Sequence, residues 1–211
     1  MRITEIFHSI QGESSFAGQP CVFVRLTGCP LRCTWCDTEY AFYGGAERSL
    51  DAILDQVRGY GCPLVEVTGG EPLAQPDAFA LIARLCDEAY TVLVETSGAI
   101  DITPLDRRAR VILDVKCPGS GMMDRMHWPN VAALTKKDEA KFVIKDRGDY
   151  EWACGIVKQY ELTARSHVLF SPVFGTLAPQ QLAEWILADR LSVRFQLQLH
   201  KLIWEPDRRG V

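Results

Sequence analysis

The chain has almost no excess of charge of either sign and no long apolar run. Its 23 Lys and Arg stand against 27 Asp and Glu, a formal charge of −4 over 211 residues. That balance excludes the basic footprint of a non-specific nucleic-acid or membrane-surface binder. No apolar stretch approaches the roughly 20 residues of a membrane span. The opening Met-Arg-Ile-Thr-Glu-Ile-Phe-His has no extended apolar region, so no secretory leader is expected. Repeats and low-complexity segments are absent. Histidine is scarce, and neither His8 nor His127, which could complete a metal site, sits in a motif. Apolar residues are not scarce. At 47% they exclude a disordered chain and suffice for a sizeable core, and the length fits one compact domain.

The eight cysteines are not spread like a disulfide framework. Cys21, Cys62, Cys86, Cys117 and Cys154 are scattered through apolar or turn contexts and read as core or surface thiols. Cys29, Cys33 and Cys36 crowd into one loop. In a chain of this size with no leader, that cluster points to metal or redox chemistry in a reducing cytosol.

Apolar strands alternate with amphipathic helices. Cys21–Thr27, Leu64–Thr68, Thr91–Thr96, Val111–Val115, Lys141–Ile144 and Val168–Phe170 read as strands, and Val193–Leu199 as a final one. Leu50, Ile53, Leu54, Val57 and Tyr60 fall on one helical face behind a Ser49 cap. Further helices carry Phe79, Ile82 and Leu85 behind Pro76, then Tyr150, Ala153 and Val157, then Leu182 and Ile186 behind Pro179. A short helix is expected over 130–135. Such alternation implies βαβ units and a mostly parallel sheet. The units are too few for eight βα pairs, which take about 250 residues, so an incomplete barrel or an open sheet is expected.

Ligands of such folds gather at the carboxyl ends of the strands. The unusual residues lie there: Gly28-Cys29, Gly69-Gly70-Glu71-Pro72, Ser97-Gly98 and Lys116. Three thiolates fall one short of a closed structural zinc site, but they suit an iron–sulfur cluster with one open iron. Spacing alone leaves cluster, zinc and no metal open.

The loop Cys29-Pro-Leu-Arg-Cys33-Thr-Trp-Cys36, followed by Gly69-Gly70-Glu71-Pro72, resembles the paired motifs of radical S-adenosylmethionine (SAM) enzymes. The whole chain resembles the 7-carboxy-7-deazaguanine synthase family. The match is carried by Ile10-Gln11-Gly12-Glu13, Arg25-Leu26-Thr27-Gly28, Asp37-Thr38, Thr68, Glu95-Thr96-Ser97-Gly98, Asp114-Val115-Lys116 and Gln198-Leu199-His200-Lys201. The resemblance implies an incomplete, modified (β/α)6 TIM-like barrel in a single domain over 1–211. It implies a cluster loop at 28–38, a substrate-binding turn at 10–13 and a closing segment at 198–211.

The family's reaction contracts the ring of 6-carboxy-5,6,7,8-tetrahydropterin to 7-carboxy-7-deazaguanine, with loss of ammonia, on the route to queuosine. By resemblance, Cys29, Cys33 and Cys36 hold a [4Fe–4S] cluster. SAM contacts fall to Gly70, Glu71, Ser97, Asp114, Lys116 and Ser171. Substrate contacts fall to Ile10, Gln11, Gly12, Glu13, Arg25, Thr68, His200 and Val211, and Thr38 takes a magnesium ion. The family also implies a cytoplasmic homodimer served by a flavodoxin or ferredoxin, with no direct nucleic-acid or membrane partner.

Plainer roles compete for several of these residues. Arg25 suits a structural ion pair. Asp37-Thr38 suits a turn cap. Thr68 and His200-Lys201 suit polar strand ends, and Glu71 a solvated turn carboxylate. Two other functions also share the cysteines: an enzyme that activates a glycyl-radical partner, and a zinc-stabilised binding module.

Overall fold

A computed structural model describes residues Met1–Val211. The chain opens with β1 (Arg2–Ile10), β2 (Pro20–Leu26), the short β3 (Ala46–Glu47) and α1 (Leu50–Gly59). It continues through β4 (Leu64–Gly69), α2 (Asp77–Asp87), β5 (Thr91–Thr96), β6 (Arg110–Asp114), α3 (Pro129–Ala133) and β7 (Glu139–Ile144). It closes with α4 (Arg147–Gln159), α5 (Leu162–Arg165), β8 (His167–Pro172), α6 (Pro179–Ala188), β9 (Arg194–Phe195) and α7 (His200–Ile203).

All nine strands form one sheet in the order β3-β1-β2-β4-β5-β6-β7-β8-β9. From β2 to β9 every pairing is parallel, while β1 and β3 add an antiparallel margin. The two sheet margins, β3 and β9, do not pair, so the barrel is incomplete as expected. Its six long parallel strands are β2 and β4 to β8.

The strands divide their residues by parity. Val22, Val24, Val65, Val67, Val92, Val94, Leu113, Ala140, Phe142 and Phe170 turn one way and are almost wholly excluded from solvent. Against them pack Ile53, Leu54 and Val57 of α1, Leu81, Ile82 and Leu85 of α2, Tyr150 and Ala153 of α4, and Leu182 of α6. Phe23, Arg25, Glu66, Thr68, Glu95, Ile112, Asp114, Lys141 and Val143 turn the other way and line the interior. The sheet is thus apolar toward the helices and largely polar toward the inside.

Local signals worked where they were local. Ser49 Oγ accepts from the Ala52 N–H at 3.2 Å and caps α1. Pro179 occupies the first turn of α6, where its missing N–H costs nothing.

The expected final strand over 193–199 is a correction. Ladder pairing stops at Phe195, and His200 opens a helical turn instead of ending a strand. The segment takes its hydrogen bonds from elsewhere. Leu199 N–H donates to Gly12 O at 2.9 Å, and Gln198 Nε2 donates to Glu13 at 2.9 Å and to Asp37 at 3.1 Å. Satisfied by loops, it has no need of a sheet neighbour.

Leu85→Ala would leave a void behind β5. It should lower unfolding free energy by about 2–5 kcal/mol, read as a lower denaturant midpoint with an unchanged slope.

Candidate active site

A cavity of about 840 Å³ fills the interior at the carboxyl ends of the parallel strands. That is ample for two small molecules side by side, since single-ligand pockets begin near roughly 300 Å³. Its floor is the β1–β2 loop, folded back into the barrel and bonded to inward-facing carboxyls. Gln11 Nε2 donates to Glu66, and the Ser15 N–H donates to Glu139 at 3.0 Å. The Gln11 amide is oriented by its other end, because Gln11 Oε1 accepts the Glu13 N–H at 2.7 Å.

The cluster loop crosses the opposite end. Cys29, Cys33 and Cys36 are unpaired, half-buried and line the cavity. Burial pushes all three thiols up, while the Lys116 ammonium pulls each one down. Three soft thiols on one loop at the cavity wall suit an iron–sulfur cluster, in which each thiolate meets a different iron.

Gly69 and Gly70 seat this loop. A Cβ on Gly70 would lie 2.5 Å from Gly28 O and 2.7 Å from the Cys29 Cβ, and one on Gly69 would strike Leu26 O. Their bareness therefore serves the approach of the cluster loop itself, which the Glu71 N–H then ties down by donating to Gly28 O at 2.8 Å.

Two predicted SAM contacts do not line the cavity. Glu71 turns away and accepts from Leu73 N–H at 3.0 Å, Thr96 Oγ1 at 2.9 Å and Ser97 N–H at 2.7 Å. It braces the 96–98 turn and is no solvated carboxylate. Ser171 is buried within β8. Gly70, Ser97, Asp114 and Lys116 do line the cavity, with Lys116 Nζ 2.8 Å from Asp114. Burial opposes the Lys116 charge, yet Asp114 and Cys33 raise its pKa above the usual lysine range.

Every predicted substrate residue lines the cavity: Ile10, Gln11, Gly12, Glu13, Arg25, Thr68, His200 and Val211. Arg25 makes the structural ion pair: its Nε lies 2.8 Å from Glu5, while the side chain also lines the cavity. Thr68 Oγ1 donates to Glu95 at 3.2 Å. A side chain on Gly12 would collide with His200, so glycine there lets the closing segment seat. Thr38 Oγ1 donates to Asp37 at 2.9 Å.

Residues to which the sequence reading gave no role stand among them. Glu66, Glu95 and Lys141 are the inward charges of β4, β5 and β7, and Gln198 bridges Glu13 to Asp37. A signal was present for two of them: Glu66 and Glu95 are each the lone ionisable residue of an apolar strand, at the parity opposite its valines.

A model of the radical SAM superfamily matches residues 23–158. A 7-carboxy-7-deazaguanine synthase of Chlorobaculum tepidum is 48% identical over all of this chain and 97% of its own length. The chain belongs to the 7-carboxy-7-deazaguanine synthase family of radical SAM proteins. A second relative of that name, from Koribacter versatilis, is 47% identical over the full length of both chains. The crystal structure of QueE from Escherichia coli matches the fold with a TM-score of 0.72, at 22% identity over 93% of each chain. Family membership leaves the glycyl-radical activator and the zinc module without support.

The Asp37–Lys201 pair at 2.7 Å fastens the closing segment to the cluster loop. Desolvation opposes the Asp37 charge, but Lys201 holds its carboxyl well below the usual range. The pair's stabilisation is therefore present above the ordinary aspartate pKa and is lost only in strong acid. Asp37→Asn should release the segment, seen as faster tryptic cleavage at Lys201, Arg208 and Arg209 with the core left intact.

Proposed function

We propose that this protein catalyses the radical ring contraction of 6-carboxy-5,6,7,8-tetrahydropterin to 7-carboxy-7-deazaguanine, with loss of ammonia. One observation carries the reading. A single cavity holds the three cluster thiols at one end and a donor- and acceptor-rich turn, Gln11-Gly12-Glu13, at the other.

Cys29, Cys33 and Cys36 would hold the [4Fe–4S] cluster, which with SAM supplies a 5′-deoxyadenosyl radical. Ser97, Asp114 and Lys116 lie beside the cluster loop and serve SAM. Glu71 acts on that site through Ser97. Arg25 offers its guanidinium to the substrate carboxylate through two parallel hydrogen bonds. Thr68 and His200 flank the ring, with Ile10 and Val211 on the surrounding wall. Burial lowers the His200 pKa, so its ring is neutral at pH 7 and both donates and accepts. The closing segment 198–211 excludes water from the radical.

Finer assignments extend the same reading. Magnesium would sit at Thr38, which lines the cavity, with substrate carboxylate and water completing the shell of a hard cation. The whole of 1–211 acts as one catalytic unit. Eight unpaired cysteines suit the reducing cytoplasm and a flavodoxin or ferredoxin donor. The exposed Phe174, Leu202 and Ile203 beside the mouth suit a homodimer contact.

The deciding experiment is an anaerobic assay with reconstituted protein, reductant, SAM, magnesium and 6-carboxytetrahydropterin. Product mass should identify 7-carboxy-7-deazaguanine. Formation of 5′-deoxyadenosine without it would keep the radical chemistry and remove the substrate. Zinc bound in place of iron and sulfide would overturn the reading altogether. Cys33→Ala should lose the cluster's visible absorbance and all SAM cleavage.

A further inference from the structure

We propose that Lys141 is the positioning residue of the substrate floor: its buried ammonium bonds to the Glu13 and Glu95 carboxylates and orients both as acceptors for the N–H-rich edge of the pterin ring. The proposal rests on the synthase reading and extends it to a residue outside the family motifs quoted for this chain.

Lys141 sits on β7 with its side chain 6% exposed. Its Nζ lies 2.8 Å from Glu13 Oε2, 2.5 Å from Glu95 Oε1 and 3.9 Å from Asp114 Oδ2. The carboxylates come from three elements, the β1–β2 loop, β5 and β6, and meet at one cation. Glu66 of β4, Arg25 of β2, Lys116 after β6 and His200 of α7 are the other charged or titratable neighbours of this group.

Two ionised carboxylates in a desolvated cavity repel each other unless a cation intervenes. Glu95 illustrates the balance. Burial opposes its charge, yet Lys141 and Arg25 hold its carboxyl below the usual range. Glu66 has no ammonium in contact. Burial together with the charges of Glu95 and Glu13 pushes its carboxyl well up.

The floor therefore presents a pattern. Glu95 spends two of its roughly four acceptor directions on Lys141 and Thr68. Glu13 receives Gln198 and Lys141. Glu66 has one oxygen occupied by Gln11, whose amide is fixed by the Glu13 N–H, and its side chain lines the cavity. Two such acceptors, side by side, match a ring edge that carries an amino group and a ring N–H. Without Lys141, the like charges would be relieved by a proton on Glu95, and one acceptor would become a donor facing a donor.

The test measures equilibrium binding of 6-carboxytetrahydropterin to the anaerobic, cluster-loaded, SAM-bound enzyme between pH 6.5 and 8.5. In the wild type, binding should change little, because Glu95 is ionised throughout. In Lys141→Met, Glu95 loses its cation and its pKa rises. Affinity should fall at least tenfold at pH 6.5 and recover part of the loss as pH rises and Glu95 ionises again. SAM affinity should stay within twofold.

Lys141→Met with Glu95→Gln removes one of the two carboxylates that contact Lys141, so only Glu13 loses its cation, and it keeps the test alive if the single variant unfolds. This double variant should bind substrate weakly at every pH. Wild-type affinity in either variant would overturn the proposal. So would an equal loss of SAM and substrate with no pH dependence. Failure of the wild-type enzyme itself to bind the pterin would instead remove the synthase reading.

Discussion

Charges buried on the inner face of a sheet must neutralise one another, and the architecture of this protein follows from that requirement. Removing an ion from water costs several kcal/mol, so an unpaired inward charge would cost more than most core contacts supply. Lys141 answers Glu13 and Glu95, Lys116 answers Asp114, and Arg25 answers Glu5. Each pair joins different segments of the chain or successive positions at a strand end. Pairing inside therefore fixes how the β1–β2 loop, β5, β6 and β7 stand relative to one another. The apolar face binds sheet to helices, and the polar face holds the cavity open and aimed.

Close approach is the second constraint. The cluster loop reaches the strand ends only because Gly69 and Gly70 carry no Cβ, and His200 reaches the floor only because Gly12 carries none. Gly28 has φ near +101°, which suits the turn from β2 into the loop. Three segments distant in sequence thereby converge on one volume. Glu71 contributes from behind, holding the Ser97 turn with a fully engaged carboxylate. Radical chemistry benefits from such bracing, since a reactive intermediate needs fixed neighbours and no water.

The closing segment works differently. It has little sheet pairing and few buried apolar residues, and hydrogen bonds to Gly12, Glu13 and Asp37 hold it. Segments held this way open at lower free energy than core strands. It therefore suits the mouth of a site that must admit substrate and release product. It also bridges the substrate floor and the cluster loop, so that Gln198 touches both.

Much of this was legible in order of residues alone. The parallel strands, the capped helices, the cysteine loop and the glycine turn are local patterns, set by periodicity, steric freedom and ligand chemistry within a few neighbours. They determined the fold class and, by resemblance, the reaction. The final strand was misread because alternation in Val193–Leu199 satisfies a strand template, whereas its polar groups find partners on loops about 160–185 residues away in sequence. Glu71 took a bracing role for the same reason, since only the fold shows that Thr96 and Ser97 stand beside it. The partners of Lys141 lie 46 and 128 residues away, so no local pattern carries their contact. Local propensity belongs to the sequence, while charge pairing and close approach across the barrel exist only once the sheet has curved and brought its strand ends together.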